Sequence, residues 1–307
     1  MKPDAHQSLR VCPVSSAGRD KALDLAFTHF SPEERKQQIE KILSTSTVNI
    51  PSSDVLFGAY RDQELVGAIF ALIQPGKTAQ VWLPCLVENE QASTAAALLQ
   101  AVGQWLDQRQ VCVAQILLET VTTEDDMLIH EGGFDYLTDL LYLVSLKDDF
   151  PLTPVSSPLT FESYNYQNHN RLSQIVDSTY LNTLDCKKLN NIRKLDDVLE
   201  GYRATGEFAP AYWLIVRHEN QDVGCLLMAD YPQYENMELV YMGIIPTYRG
   251  RGWGMDVARH AQWLARQSGR LRLVLAVDAS NHPALKMYAA LGFKAWDQRR
   301  VYYRVFH

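Results

Sequence analysis

Apolar and polar positions along the chain follow two periods, and their succession predicts the elements. Alternation at every second residue marks half-buried strands, whereas recurrence near every 3.6 residues marks helices with one apolar face. In the second half the pattern predicts a strand at 159–164, helices within 168–205, strands near 212–217 and 223–229, and a fourth strand at 237–244. A helix at 255–267 follows, its inner face marked by Val257, Ala258, Ala261, Leu264 and Ala265. A strand at 271–277, a helix at 282–291 and a closing strand or hairpin through 301–305 complete this half. The first half repeats the order, with a strand at 9–14, helices within 17–43, strands near 55–60, 65–73 and 79–87, a helix at 92–106, a strand at 114–120, a helix at 124–131 and a strand at 136–146. Prolines and serines concentrate at 148–158, which reads as a linker between domains at 1–150 and 151–307.

Length agrees with that division, since 307 residues are long for one compact unit and comfortable for two. The net charge of −7 argues against a nucleic-acid protein, whose footprint would be a basic surface. It would suit a cationic amine, but mildly acidic proteins are common and the excess decides nothing. Five cysteines, odd in number and scattered without a Cys-x-x-Cys pair, fit reduced thiols better than a disulfide frame or a zinc site. The eight histidines do not cluster at metal-ligand spacing, so no metal is expected. Apolar runs such as 65–73 fall short of a membrane span and no charged-then-apolar leader opens the chain, so a soluble cytoplasmic protein, monomer or homodimer, is expected.

Candidate chemistry enters at Arg249-Gly250-Arg251-Gly252-Trp253-Gly254, between the fourth strand and the next helix. A helix start leaves backbone N–H groups unpaired and carries partial positive charge, so glycines that allow close approach make such a turn a phosphate cradle. An NTPase loop would continue Gly-Lys-Ser/Thr, and a dinucleotide loop would need glycine in place of Met255; neither is met. The spacing Arg249-x-x-Gly252-x-Gly254 resembles instead the acetyl-CoA pyrophosphate loop of the GNAT superfamily of N-acetyltransferases. Asn281…Ala284…Tyr288…Gly292-Phe293 is similar to that family's closing segment, and 237–244 to its fourth strand, with an acidic residue, Glu238, near the strand start.

The resemblance implies an α/β (α+β) fold in which each domain is a mixed, mostly antiparallel sheet flanked by helices. It implies acetyl-CoA as acyl donor and direct transfer to an amine, a small molecule being favoured. An acyl-CoA-binding sensor or scaffold without turnover is the alternative. Backbone of Met242, Gly243 and Ile244 would pair with the pantetheine arm, Gly243 permitting a bulge or merely relieving packing. Main-chain N–H groups from Arg249 through Gly254, with Met255, would hold the diphosphate, Arg249 and Arg251 adding charge; the side chains of Trp253 and Met255 read as packing. Glu238 would accept the amine's proton, sharing a strand face with Val240, Met242 and Ile244, or else is a solvated glutamate. Tyr288 would protonate the leaving thiolate, or else packs on the inner face of its helix. Asn281 caps that helix and would also touch the coenzyme. Asp230, Tyr231 and Tyr234, in the turn before the fourth strand, would line an acceptor pocket or form a plain turn.

Gly133-Phe134 answers Gly292-Phe293, and the same offset makes Ala79 the counterpart of Glu238, Glu90 of Arg249, Ser93 of Gly252, Thr122 of Asn281 and Ile129 of Tyr288. Every chemical position is lost while the pattern survives. Residues 1–150 are therefore expected to be a degenerate GNAT-like copy, with Glu88 and Glu90 where phosphates would sit.

Overall fold

Strand and helix order in the computed structural model follows the hydrophobic pattern closely; the structure describes residues 8–45, 54–154 and 156–306. In chain order the elements are β1 (Arg10–Pro13), α1 (Arg19–Ala26), α2 (Pro32–Thr45), β2 (Asp54–Arg61), β3 (Glu64–Gln74), β4 (Thr78–Val81), β5 (Cys85–Leu86), α3 (Ala92–Asp107), β6 (Val113–Leu118), α4 (Thr123–Glu131) and β7 (Asp135–Leu146). There follow β8 (Leu159–Ser163), α5 (His169–Tyr180), α6 (Leu195–Arg203), β9 (Trp213–His218), β10 (Gln221–Tyr231), β11 (Asn236–Ile244), α7 (Trp253–Gln267), β12 (Arg272–Asp278), α8 (His282–Ala290) and β13 (Lys294–Val305). No helix among the described residues is long and apolar enough to cross a membrane.

The chain divides into two units, Met1–Tyr136 with Val301–His307, and Leu137–Arg300. In the first, β1, β2, β3 and β4 pair antiparallel in sequence and β6 lies parallel to β4. Period two is plain along β3: Ala68 and Phe70 pack with Ala22, Leu23 and Phe27 of the α1 region, while Ile69 and Ala71 pack with Leu98, Leu99 and Val102 of α3. The single strand expected over 79–87 is broken into β4 and β5, and β5 turns to pair with β3. Pro84, which carries no N–H for a ladder, sits in the break.

The second unit orders its strands β8, β9, β10, β11, β12, β7, all neighbours antiparallel except β11 and β12. α7 and α8 cover one face through Val257, Ala258, Ala261 and Tyr288, and α5 and α6 cover the other through Leu172, Ile175, Val176 and Leu199. Each unit is thus a mixed, mostly antiparallel sheet flanked by helices.

The Pro- and Ser-rich segment 148–158 does not mark the division into units. Strand β7 pairs antiparallel with β12 from Leu140 to Leu146, and Leu143 enters the second unit's core. Conversely Tyr302, fully buried, belongs to the first unit's core and donates its hydroxyl to Asp126 at 2.6 Å. Strand pairing, not linker composition, decides where each unit ends.

Internal registers also refine the counterparts between halves. Thr122 and Asn281 both cap their helices, as the offset requires. The parallel ladders begin at Thr78–Val113 and at Asn236–Arg272, so Gln80, not Ala79, is the counterpart of Glu238. Gln91 caps α3 as Gly252 caps α7, so Gln91, not Ser93, is the counterpart of Gly252.

Within β11 the register slips between Leu239 and Tyr241, leaving Val240 as a bulge residue. A bulge swaps the faces of all residues beyond it. Met237 and Leu239 therefore share the α7 side with Met242 and Ile244, and Glu238 does not share a face with those two as the unbroken period implied. Gly243 lies beyond the bulge and does a different job: a Cβ there would stand 2.6 Å from Thr179 Cβ, so glycine lets α5 close on the strand.

Two outcomes follow. Gly243→Ala is expected to cost about 1–3 kcal/mol through overpacking, read as a lower urea midpoint at unchanged slope. A fragment spanning 137–300 should melt cooperatively, whereas one spanning 151–307, which lacks the β12 partner strand and leaves that edge open, should aggregate on purification.

Candidate functional site

The ladder between β11 and β12 is short. Only Asn236, Met237 and Glu238 pair with Arg272, Leu273 and Val274. β11 nevertheless stays on β10 as far as Ile244, and β12 stays on β7 as far as Asp278. Past Glu238 the two parallel strands part, and a cavity of about 410 Å³ occupies the opening. Met242, Gly243 and Ile244 line it from β11, Ala276 and Val277 from β12, and Asn281 and Tyr288 from α8 and its cap. A sheet edge opened inside a fold presents backbone donors and acceptors to an extended ligand.

At one end of this opening stands the glycine loop. Gly250 and Gly252 hold φ of +79° and +81°, and a Cβ at either would meet nothing within 4 Å; the requirement is conformational, not spatial. Gly252 caps α7, a helix of 15 residues. The amide of Arg249 donates to Pro246 O at 3.1 Å and that of Met255 to Gly252 O at 3.0 Å. Among the described residues no loop or turn bond takes the amides of 250–254, so those five have no such partner while the two flanking amides do.

The Arg249 guanidinium is committed to main-chain carbonyls. It donates to Ile244 O at 2.9 Å, Asn182 O at 3.0 Å and Thr179 O at 2.7 Å, tying the end of α5 to the end of β11. Those bonds also occupy the Ile244 carbonyl. Arg251 is exposed, its guanidinium 5.5 Å from the Tyr248 ring centroid and 5.0 Å from that of Trp253. Trp253 is buried and stacks on His218 at 4.7 Å, and Met255 packs on the same core, so both side chains are packing residues.

Tyr288 is 5% exposed, edge-on to Phe293 with centroids 5.3 Å apart, and borders the cavity. Burial, with a contribution from the Asp185 carboxylate, pushes its hydroxyl well above the ordinary phenol range, so it remains a proton donor throughout the neutral range. Asn281 Oδ1 accepts the Ala284 N–H at 3.4 Å, a long cap that leaves the side-chain amide's own donors uncommitted to that bond. Glu238 is bonded to Tyr231, and burial raises its affinity for a proton. It is absent from the described residues that line the opening. Asp230 is committed to Arg270 through two bonds of 2.6 and 2.8 Å, which answers its part in the turn.

The unpatterned stretch after α5 brings a carboxylate that periodicity could not single out. Asp185 lines the opening, and its Oδ1 accepts the Asp278 N–H at 2.9 Å. Asp278 in turn accepts the Cys186 N–H at 3.0 Å and the Ser280 N–H at 2.8 Å. Asp185, Cys186 and Asp278 thus form a corner bound together by main-chain donors. Burial and the two carboxylates push the Cys186 thiol far above its ordinary range. A sequence signal existed only in hindsight of the fold, because Asp185 and Asp278 are brought together by topology.

A model of the acetyltransferase (GNAT) family matches residues 180–293, the span that holds the opening, the loop and Tyr288. Mycothiol acetyltransferase of Thermobifida fusca (strain YX) is 30% identical over 103 residues, 34% of this chain and 30% of that protein. A putative [ribosomal protein bS18]-alanine N-acetyltransferase of Bacillus subtilis (strain 168) is 33% identical over 69 residues, 22% of this chain and 46% of that protein. The matched segments therefore span less than half the length of either relative. A GCN5-related N-acetyltransferase from Sphaerobacter thermophilus shares the fold over 97% of this chain and 95% of its own, with a TM-score of 0.65 at 15% identity. Residues 180–293 are a domain of the acetyltransferase (GNAT) family.

Proposed function

We propose that the protein transfers an acetyl group from acetyl-CoA directly to the amine of a small acceptor. The observation that carries this reading is the parting of β11 from β12 beside a helix start with five uncommitted amides. The diphosphate would sit at amides 250–254, where aligned N–H groups and the helix field favour a dianion. The pantetheine arm would run along Met242 and Gly243 within the opening. When bound, the coenzyme supplies the thioester whose carbonyl the amine attacks. Tyr288, buried and held as a neutral phenol, would give its proton to the departing sulfur. Glu238, the carboxylate the strand pattern offers for the amine's proton, is buried and bonded to Tyr231 but does not line the opening, so a carboxylate that does line it is the better acceptor. A covalent acyl-cysteine is disfavoured, because the Cys186 thiol, in the corner beside Asp185 and Asp278, is held protonated.

The first unit is proposed as an inactive copy. Its helix α3 begins with a carboxylate already in place: Glu90 accepts from Arg61 at 2.9 Å and from Thr94 Oγ1 at 2.7 Å, and also binds the Gln91 amide. The Arg61 guanidinium chiefly holds the Glu90 carboxyl down at about 2. An anionic ligand would have to displace an anion there.

Calorimetric titration of the full chain with CoA is expected to give one site, not two, and Gly252→Ala, which must hold a positive φ, is expected to weaken it about tenfold for a strain of roughly 1–2 kcal/mol. Tyr288→Phe is expected to slow thiol release from acetyl-CoA and an amine panel by on the order of 10²-fold while the CoA affinity stays within about twofold. Absence of measurable CoA binding by folded protein would overturn the reading.

A further inference from the structure

A second cavity of about 220 Å³ adjoins the one between β11 and β12, and the two have Thr183, Asp185, Val240 and Tyr241 in common. Tyr180, Tyr202 and Tyr241 wall the smaller one: the Tyr202 and Tyr241 rings stack at 5.5 Å, Tyr180 meets Tyr241 edge-on at 5.3 Å, and the Tyr180 and Tyr202 hydroxyls bond at 2.7 Å. On the reading above, the thioester comes along the larger cavity and the amine must reach it from elsewhere. The shared residues mark where the two can meet. Thr183 and Tyr241 keep their protons at neutral pH and Val240 has none to exchange, so Asp185 alone of the four can accept one.

We infer that Asp185 is the catalytic base: it receives a primary ammonium through the tyrosine-walled cavity and takes its proton where that cavity joins the opening between β11 and β12.

The side chain is held for this. Thr183 Oγ1 accepts the Asp185 N–H at 3.1 Å, and the Asp278 N–H fixes Oδ1 at 2.9 Å. Oδ2 accepts no hydrogen bond from the described residues. Burial, aided by the Asp278 carboxylate, raises the proton affinity of Asp185 above that of an ordinary aspartate, while the Asp278 N–H opposes the rise. The titratable groups around it are Asp278 on β12, Tyr288 on α8, Tyr180 on α5, Tyr241 on β11 and its neighbour Cys186, with Asp177 and Arg193 elsewhere on the smaller cavity. Tyrosine faces and a carboxylate together favour an organic cation. Asp185 takes one proton from the ammonium. The neutral nitrogen then bonds to the thioester carbon as the carbon–sulfur bond breaks, and Tyr288 gives its proton to sulfur. A second nitrogen proton restores Tyr288, and Asp185 releases its own to solvent, so the products are amide, thiol and one proton.

The test follows thiol release from acetyl-CoA by the full chain with methylamine and a panel of primary amines, across pH. Asp185 must be ionised to act, so wild-type kcat/KM should fall as pH drops through a midpoint above the ordinary aspartate range. Asp185→Asn should lower kcat/KM by about 10²–10⁴-fold and abolish that limb, with CoA affinity by calorimetry within about twofold. Glu238→Gln should keep the limb. Should Asp185→Asn not melt cooperatively, Asp185→Ser decides, with partial recovery of rate in added formate expected. A folded Asp185 variant with near wild-type rate and an intact acid limb overturns the assignment alone. Wild-type protein that binds CoA but releases no thiol with any amine overturns the transfer reading and this assignment together.

Discussion

Three residue pairs join β11 to β12, and what the second unit offers a ligand depends on their stopping there. Parallel strands normally continue side by side, because each unpaired N–H and C=O inside a fold costs free energy. Here each strand keeps its other neighbour, β10 on one side and β7 on the other, so the sheet remains intact while one internal seam opens. Flanking devices keep it open. Arg249 binds the ends of β11 and α5 together through three carbonyls, and Gly243 admits Thr179 so that α5 can lie close behind the strand. The Arg249 side chain, at the start of the glycine loop, thus braces the strand against the helix.

Strand and helix placement was legible because burial imposes its period on sequence, and β3 with its alternating Ala68, Ile69, Phe70 and Ala71 is the clearest instance. The glycine loop was legible because positive φ at Gly250 and Gly252 restricts residue choice. The bulge at Val240 left no such mark. One extra residue in an apolar strand changes no composition, yet it moves Glu238 to the face opposite Met242 and Ile244. Asp185 was invisible for a different reason: it follows α5 in a stretch without periodicity, and its partner Asp278 lies in another strand. Local pattern reports local geometry, and long-range proximity has to be read from the fold.

The two units have the same order of elements and different chemistry at matching places. A helix start needs an electron-rich partner, and the second unit leaves that partner to be supplied while the first provides Glu90. Capping at α4 and α8 is kept in both, Thr122 in one and Asn281 in the other, because a helix end must be satisfied whatever the function.

Tyr302 sits four positions before the last residue described and fills the centre of the first unit, whereas the second unit is complete by Arg300. During synthesis the later half therefore acquires all its strands before the earlier half does. The N-terminal unit keeps a gap in its interior until the strand that carries Tyr302 has been made, so its packing is completed after that of the unit encoded behind it.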